Sequence, residues 1–154
     1  MKIEIWAVGK LKNKALASNI EQYLKRLRKY QNVRIEEISI RAKSTDADFL
    51  KKAEADKILS RLTPGDHLIL MDEGGQSFTS TKFAQFLQKA VMKPVNRIVF
   101  LIGGAHGFDQ SVYDRSQHKI SLSGMTFPHD LARLMTVEQL YRAFSILNHS
   151  PYHH

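Results

Sequence analysis

The sequence predicts an α/β fold in which a mostly parallel sheet is flanked by helices, with residues 1–154 in a single domain. Three observations carry this. Strand-like and helix-like segments alternate along the whole chain, the order that builds parallel sheets. Two strand-like runs, His67–Met71 and Ile98–Ile102, are nearly all apolar, as strands covered on both faces are. No repeat, low-complexity tract or linker divides the 154 residues, a length that suits one hydrophobic core.

Taken in order, Lys2-Ile3-Glu4-Ile5-Trp6-Ala7-Val8-Gly9 alternates and then turns apolar, as a strand entering a sheet does. Leu16, Ile20, Tyr23, Leu24, Leu27 and Tyr30 recur at three and four and set one apolar stripe along a helix. Val33–Ile40 is a second alternating strand, and Arg41–Asp48 a polar, mobile loop. A helix over about Ala47–Leu62 follows, with Phe49, Leu50, Ala53, Ile58, Leu59 and Leu62 as its apolar positions. Thr63-Pro64-Gly65-Asp66 ends it. His67–Met71 is the next strand, closed by Asp72-Glu73-Gly74-Gly75-Gln76. A third helix opens at Ser80, with Thr79 or Ser80 as its cap and Phe83, Phe86, Leu87 and Ala90 inward; Pro94 stops it. After the strand Arg97–Ile102 come a glycine loop, a short helix near Gln110–Arg115 and a strand-like run from Ile120. The last helix starts at Pro128-His129, with Leu131, Leu134, Met135, Leu140, Tyr141, Phe144 and Leu147 as its apolar stripe.

Composition narrows the function classes. Lys and Arg number 23 against 15 Asp and Glu, a net charge of +8, which suits a polyanion partner such as nucleic acid as well as it suits a plain basic protein. The segment Lys10–Tyr30 concentrates this charge, with Glu21 its one acid; a solvated helix face and a phosphate-facing one are both compatible with it. With no cysteine, disulfides, thiolate metal sites and cysteine nucleophiles are excluded, and a reducing, cytoplasmic location is expected. No apolar run approaches the roughly 18 residues that span a bilayer. Glu4 interrupts the apolar stretch after Lys2, so no signal peptide and no membrane association are expected.

In open parallel sheets ligands sit beyond the carboxyl ends of strands, near a topological switch point. Three such ends are rich in glycine or small polar residues: Met71–Gly75, Gly103–Gly107 and Leu122–Gly124. Gly103-Gly104-Ala105-His106-Gly107 lacks the dinucleotide spacing, since its first two glycines are adjacent, and no acid closes the next strand to hold a ribose. No G-K-[ST] follows, so a phosphate loop is excluded. A tight turn needing positive φ explains the glycines as well as a ligand does. The small residues of Leu122–His129 would let a flat ligand lie against exposed backbone amides, or they are a strand-to-helix connection. The seven histidines show no metal spacing, so no metal is expected; His149 and His153 are four apart, but Pro151 interrupts any shared helical face. Composition alone reads Tyr152-His153-His154 as a solvated tail.

The segments Met1-Lys2-Ile3 through Ala7-Val8-Gly9-Lys10, Leu101–Gly107, Met125–His129, Glu138–Ala143 and Pro151-Tyr152-His153 occur in this order. Together they resemble the bacterial ribosomal RNA large subunit methyltransferase H family over essentially the whole chain. The resemblance implies a SPOUT methyltransferase with a C-terminal trefoil knot, which periodicity alone could not disclose. It further implies an S-adenosylmethionine-dependent homodimer acting on the assembled ribosome at N3 of a pseudouridine in helix 69 of 23S rRNA. Carried over by position, the cofactor site comprises Met71, Gly103, Leu122, Ser123, Gly124, Met125, Thr126 and Phe127. The catalytic candidates are His153, Tyr152, Arg142 and Glu138. His153 is the base by residue type, Tyr152 a stacking or hydrogen-bonding group, and Arg142 a holder of the anion or a phosphate. Glu138 either pairs with Arg142 at i, i+4 or takes part in the chemistry. His129 and His154 are candidate substrate contacts. Family members often carry Arg or Lys after the Tyr-His pair; this chain has His154, which is cationic only part of the time near neutral pH. A non-catalytic RNA-binding or ribosome-assembly factor on the same fold is the alternative, and a nicotinamide enzyme is disfavoured by the glycine spacing.

Overall fold

The computed structural model describes residues 1–41 and 43–154. In chain order the elements are β1 (Lys2–Val8), α1 (Lys14–Leu27), β2 (Val33–Ile38), α2 (Ala47–Arg61) and β3 (Asp66–Ser77). They continue with α3 (Ser80–Val91), β4 (Arg97–Ile102), α4 (Gln110–Arg115), β5 (His118–Ser121) and α5 (His129–Leu147). Side chains start four of the helices. Asn13, Asp46, Thr79 and Asp109 each accept a hydrogen bond from a backbone N–H of the first turn, which stabilises a helix start by about 1 kcal/mol. Of the loop expected over Arg41–Asp48, Asp46 is the cap of α2 and Ala47 already helical, while Ala42 lies outside the described residues.

The strands form one sheet in the order β2-β1-β4-β3-β5, and every pairing is parallel. Period-two alternation sends Ile3, Ile5, Ile69, Ile98, Phe100 and Ile102 to one face, under α1, α3 and α5. Trp6, Leu68, Leu70, Val99 and Leu101 go to the other, under α2 and α4. Both faces of β3 and β4 are therefore dry, which accounts for their unbroken apolar runs.

Four segments differ from the sequence reading, α5 among them. β3 does not close at Met71 but runs to Ser77, with its register to β5 shifting between Met71 and Gln76. At Gly75 the two backbones touch: a Cβ there would lie 2.6 Å from the amide nitrogen of Ile120. Only glycine lets the strand continue past its acidic turn. β5, conversely, stops at Ser121, because the chain beyond it leaves the sheet edge to build a loop. On α2 the buried residues are Ala55 and Ile58, and Phe49 is half exposed, since only a narrow stripe of this helix meets the sheet.

α5 packs against both α1 and α3. Its apolar stripe is also shifted from expectation: Arg133, Thr136, Val137, Leu140, Tyr141 and Phe144 are buried, whereas Leu131, Leu134 and Met135 are only half buried. The buried Arg133 guanidinium donates to the carbonyls of Val8 and Gly9 at 3.2 and 2.9 Å and to Glu37 at 3.1 Å. It thereby ties α5 to the carboxyl end of the sheet, satisfying carbonyls that no strand partner reaches.

Candidate functional site

Beyond the carboxyl ends of β4 and β5, and beside the middle of β3, lies an open cavity of about 660 Å³. Met71, Asp72 and Glu73 form one wall, and Gly103, Gly104 and Phe108 another. Leu122, Ser123, Met125, Thr126 and Phe127 curl over it, with Pro128, His129 and Ala132 of α5 at its base. The size suits a ligand of a few tens of atoms. Apolar walls broken by backbone amides and a few polar side chains suit a flat ring joined to a polar chain.

Local bonds hold these loops in shape. Ser121 Oγ donates to the Ser123 carbonyl at 2.7 Å, and the Met125 N–H donates to Ser123 Oγ at 3.0 Å, folding the 121–125 segment on itself. Met125 is left 75% exposed at the rim. Opposite, Asp72 accepts from the Gly74 N–H at 2.7 Å and from the Tyr113 hydroxyl. Burial and that adjacent carboxylate push the Tyr113 phenol up to about 12, so it remains a donor. In the glycine loop Gly107 takes φ +74°, the conformation a turn demands of glycine. Gly103 and Gly104 are not in that region, and they lie on the cavity wall instead.

The tail is not the solvated end that composition suggests. His149 adopts φ +54°, a left-handed residue just past α5, and turns the chain back along the helix. Tyr152 then packs edge-on against Tyr141, ring centroids 4.7 Å apart, under the Arg142 guanidinium at 4.8 Å. Its hydroxyl donates to Glu138 Oε1 at 3.1 Å and meets the Tyr23 hydroxyl at 3.3 Å. Burial, the Tyr23 bond and the Glu138 charge all raise its pKa, so the phenol stays protonated. Arg142 donates from Nε and Nη2 to Glu138 Oε1 at 3.0 and 2.6 Å, the i, i+4 pair, and these bonds raise its own pKa further. Arg142 Nη1 stands 3.1 Å from His153 Nδ1. His154 remains exposed at the end.

The structure thus gathers the expected residues into two places. Met71, Gly103, Leu122, Ser123, Met125, Thr126, Phe127 and His129 line the cavity, whereas Gly124 is outside its lining. Glu138, Arg142, Tyr152 and His153 form a separate cluster. His129 and Arg142 stand thirteen positions apart on α5, about 20 Å along the helix axis at 1.5 Å per residue. A smaller cavity of about 120 Å³, lined by Met71, Leu122, Ser80, Thr136 and Gln139 among others, lies between them. Gln139 links it to the cluster, accepting from Ser80 Oγ and donating to Glu138 Oε2, both at 2.9 Å.

Asp72, Glu73, Tyr23 and Gln139 were not singled out in the sequence. The acids belong to a strand end already marked as a pocket candidate. Tyr23 offered one signal, a hydroxyl that it shares with Tyr30 in an otherwise aliphatic stripe, and Gln139 only its place in the segment Glu138–Ala143. Among the described residues no group of three or more His, Asp or Glu is placed to hold a metal ion, and no helix is long and apolar enough to cross a membrane.

A profile of the family described as predicted SPOUT methyltransferase matches residues 1–153. The ribosomal RNA large subunit methyltransferase H of Flavobacterium johnsoniae is 44% identical to this chain over 156 residues, covering 100% of the chain and 99% of its own length. Proteins of the same name from Cytophaga hutchinsonii and Porphyromonas gingivalis are likewise 44% identical over the full chain, covering 100% and 99% of their own lengths.

Proposed function

Because the chain belongs to the SPOUT methyltransferases, and among them to the ribosomal RNA large subunit methyltransferase H family, we propose that it transfers a methyl group from S-adenosylmethionine to N3 of a pseudouridine in helix 69 of 23S rRNA on the assembled ribosome. The observation that carries this reading is the 660 Å³ cavity across three adjacent strands, in a chain whose full-length relatives are named as rRNA methyltransferases. The cavity fits the donor: its lining combines apolar Met71, Leu122 and Phe127, which would suit a flat ring, with the hydroxyl-bearing Ser123 and Thr126, which would suit a polar chain. When bound, the sulfonium supplies a methyl group already activated for in-line displacement. The protein therefore has to align the nucleophile and stabilise the anion left when N3 loses its proton.

The donor groups of the tail cluster suit the second task, yet within one chain Arg142 stands about 20 Å along α5 from His129 at the cavity. A homodimer resolves this, with one protomer's tail reaching the partner's cavity. Half-buried Leu131, Leu134 and Met135 share a stripe of α5 with Glu138 and Arg142, an apolar face that a second copy would cover. The trefoil knot of the family belongs to the segment after β4; the return of α5 from the β5 edge onto α1 and α3 supports that assignment. The excess of Lys and Arg suits an rRNA partner recognised by shape and phosphate, in the cytoplasm where ribosomes reside.

Calorimetry of the purified protein with S-adenosylmethionine, paired with methylation of intact ribosomes, tests the proposal. Binding together with a new methyl group in helix 69 is the expected result. A strain that lacks the protein and keeps the modification would refute it, and failure to bind the donor would leave only a non-catalytic RNA-binding role.

A further inference from the structure

We propose that His153 serves the reaction as a hydrogen-bond donor through Nε2–H, its tautomer set by Arg142, and not as the base that removes the N3 proton. This inference rests on the methyl-transfer reading above and specifies the chemistry of the tail.

A guanidinium has donors only, at every accessible pH. Arg142 Nη1 lies 3.1 Å from His153 Nδ1, so Nδ1 must present its lone pair and the ring proton of neutral His153 sits on Nε2. Arg142 has little freedom to turn away, because its Nε and Nη2 are both committed to Glu138 Oε1. Glu138 is held in turn. Its other oxygen accepts from Gln139 Nε2, which forces the Gln139 carbonyl toward the Ser80 hydroxyl, its donor at 2.9 Å. From Ser80 to His153 every contact therefore has one permitted direction. The Tyr152 hydroxyl adds to the same pattern, since its proton goes to Glu138.

A general base needs an unoccupied lone pair aimed at the proton it takes. The Nδ1 pair of His153 is engaged by Arg142, Nε2 carries hydrogen in this tautomer, and Tyr152 is a protonated phenol. The Glu138 carboxylate already receives four hydrogen bonds, from Gln139, Tyr152 and twice from Arg142. The cluster is thus built to donate. The imide proton passes to a solvent base, water or hydroxide, leaving a delocalised anion whose flanking carbonyl oxygens the Nε2–H of His153 stabilises. The N3 electron pair then forms the bond to the methyl carbon as the carbon–sulfur bond breaks, its pair staying on sulfur as a neutral thioether. Ser80 and Gln139 are positioning residues in this scheme.

Two measurements test this. Nitrogen-15 NMR of the imidazole in the free protein reads the tautomer without any substrate: proton on Nε2 is expected, and a protonated Nδ1 in the neutral ring would overturn the assignment. In single-turnover methylation of ribosomes, His153→Gln, which places an amide N–H near the Nε2 position but cannot act as a base, is expected to stay within about tenfold of wild type. His153→Ala should fall by about a hundredfold or more, the usual cost of losing a donor to a developing anion. If His153→Gln is as slow as His153→Ala while binding the donor normally, the inference fails. Wild-type protein that methylates no ribosome would instead defeat the functional reading and leave the tautomer measurable.

Discussion

His67 is nearly inaccessible, stacks on His118 at 5.1 Å between ring centroids, and leaves Nε2 without a hydrogen-bond partner. Burial, with Lys93, His118 and Arg115 nearby, lowers its pKa to about 4. The folded protein thus holds this ring neutral where an unfolded chain, near 6.5, takes up a proton. Between pH 6.5 and 4 the unfolded state binds more protons, so stability falls as pH falls through that window, by at most roughly 3 kcal/mol for a gap of about 2.5 units. Urea midpoints at pH 7 and pH 4.5 read this loss, and His67→Phe is expected to flatten the slope between them. At the tail, Glu138→Gln replaces a four-fold acceptor by an amide that brings its own donors toward Arg142. Docking of residues 150–154 is expected to weaken by about 1–3 kcal/mol, seen as faster carboxypeptidase trimming with the thermal midpoint of the rest unchanged. Of these roles only the pairing of Glu138 with Arg142 was legible in the sequence, from its i, i+4 spacing. A histidine inside an apolar strand and one in a polar tail have the same local chemistry until neighbours from other elements decide it.

At the scale of elements, the local code was read well where an element buries one regular stripe. The inward stripes of α1 and α3 follow from spacing, and Thr79 was one of the two caps expected for α3, whereas Asn13, the cap of α1, was not singled out. It was read badly where two elements touch through backbone. Acids and glycines after Met71 signal a turn, yet β3 continues to Ser77 because β5 offers a second pairing register and Gly75 lets the strands meet. Gly75→Val should therefore cost about 1–3 kcal/mol through overpacking and displace the 121–125 loop. Reduced donor affinity in calorimetry, together with a lowered urea midpoint, would report it; unchanged values for both would show that β5 gives way freely. α5 is the other case. Its sequence stripe mixes two faces, one packed on α1 and α3 and one half exposed, and only packing separates them.

For the whole molecule, the separation of His129 and Arg142 along α5 puts the proposed homodimer to the test. Leu134→Glu is expected to yield a monomer by light scattering that still binds S-adenosylmethionine but does not methylate ribosomes. A monomeric wild type, in solution and on the ribosome, would contradict the dimer. Mixed dimers carrying a His153→Ala tail in one protomer and a cavity-blocking Gly103→Trp in the other leave one intact pairing of tail and cavity. They should keep about half of the wild-type rate when the tail serves the partner's cavity, and almost none in the opposite mixture, where both changes sit in one chain and the surviving tail and cavity belong to the same protomer.

By itself the sequence determined the alternation that makes an α/β sheet, the two strands buried on both faces, and the glycine-rich segments that border the cavity. These follow from periodicity and glycine content, which act over a few neighbouring residues. Its ordered motifs also carried the family, over nearly the full chain. The tertiary structure alone decided that the tail is docked, that Arg142 meets the histidine ring at Nδ1, and that His129 at the cavity and Arg142 in the cluster lie about 20 Å apart on one helix. Each of these depends on contacts between residues far apart in sequence, such as Tyr23 with Tyr152 or Ser80 with Gln139. A residue's type fixes what it can donate or accept, but the direction of that exchange is set by which partner the fold brings to it.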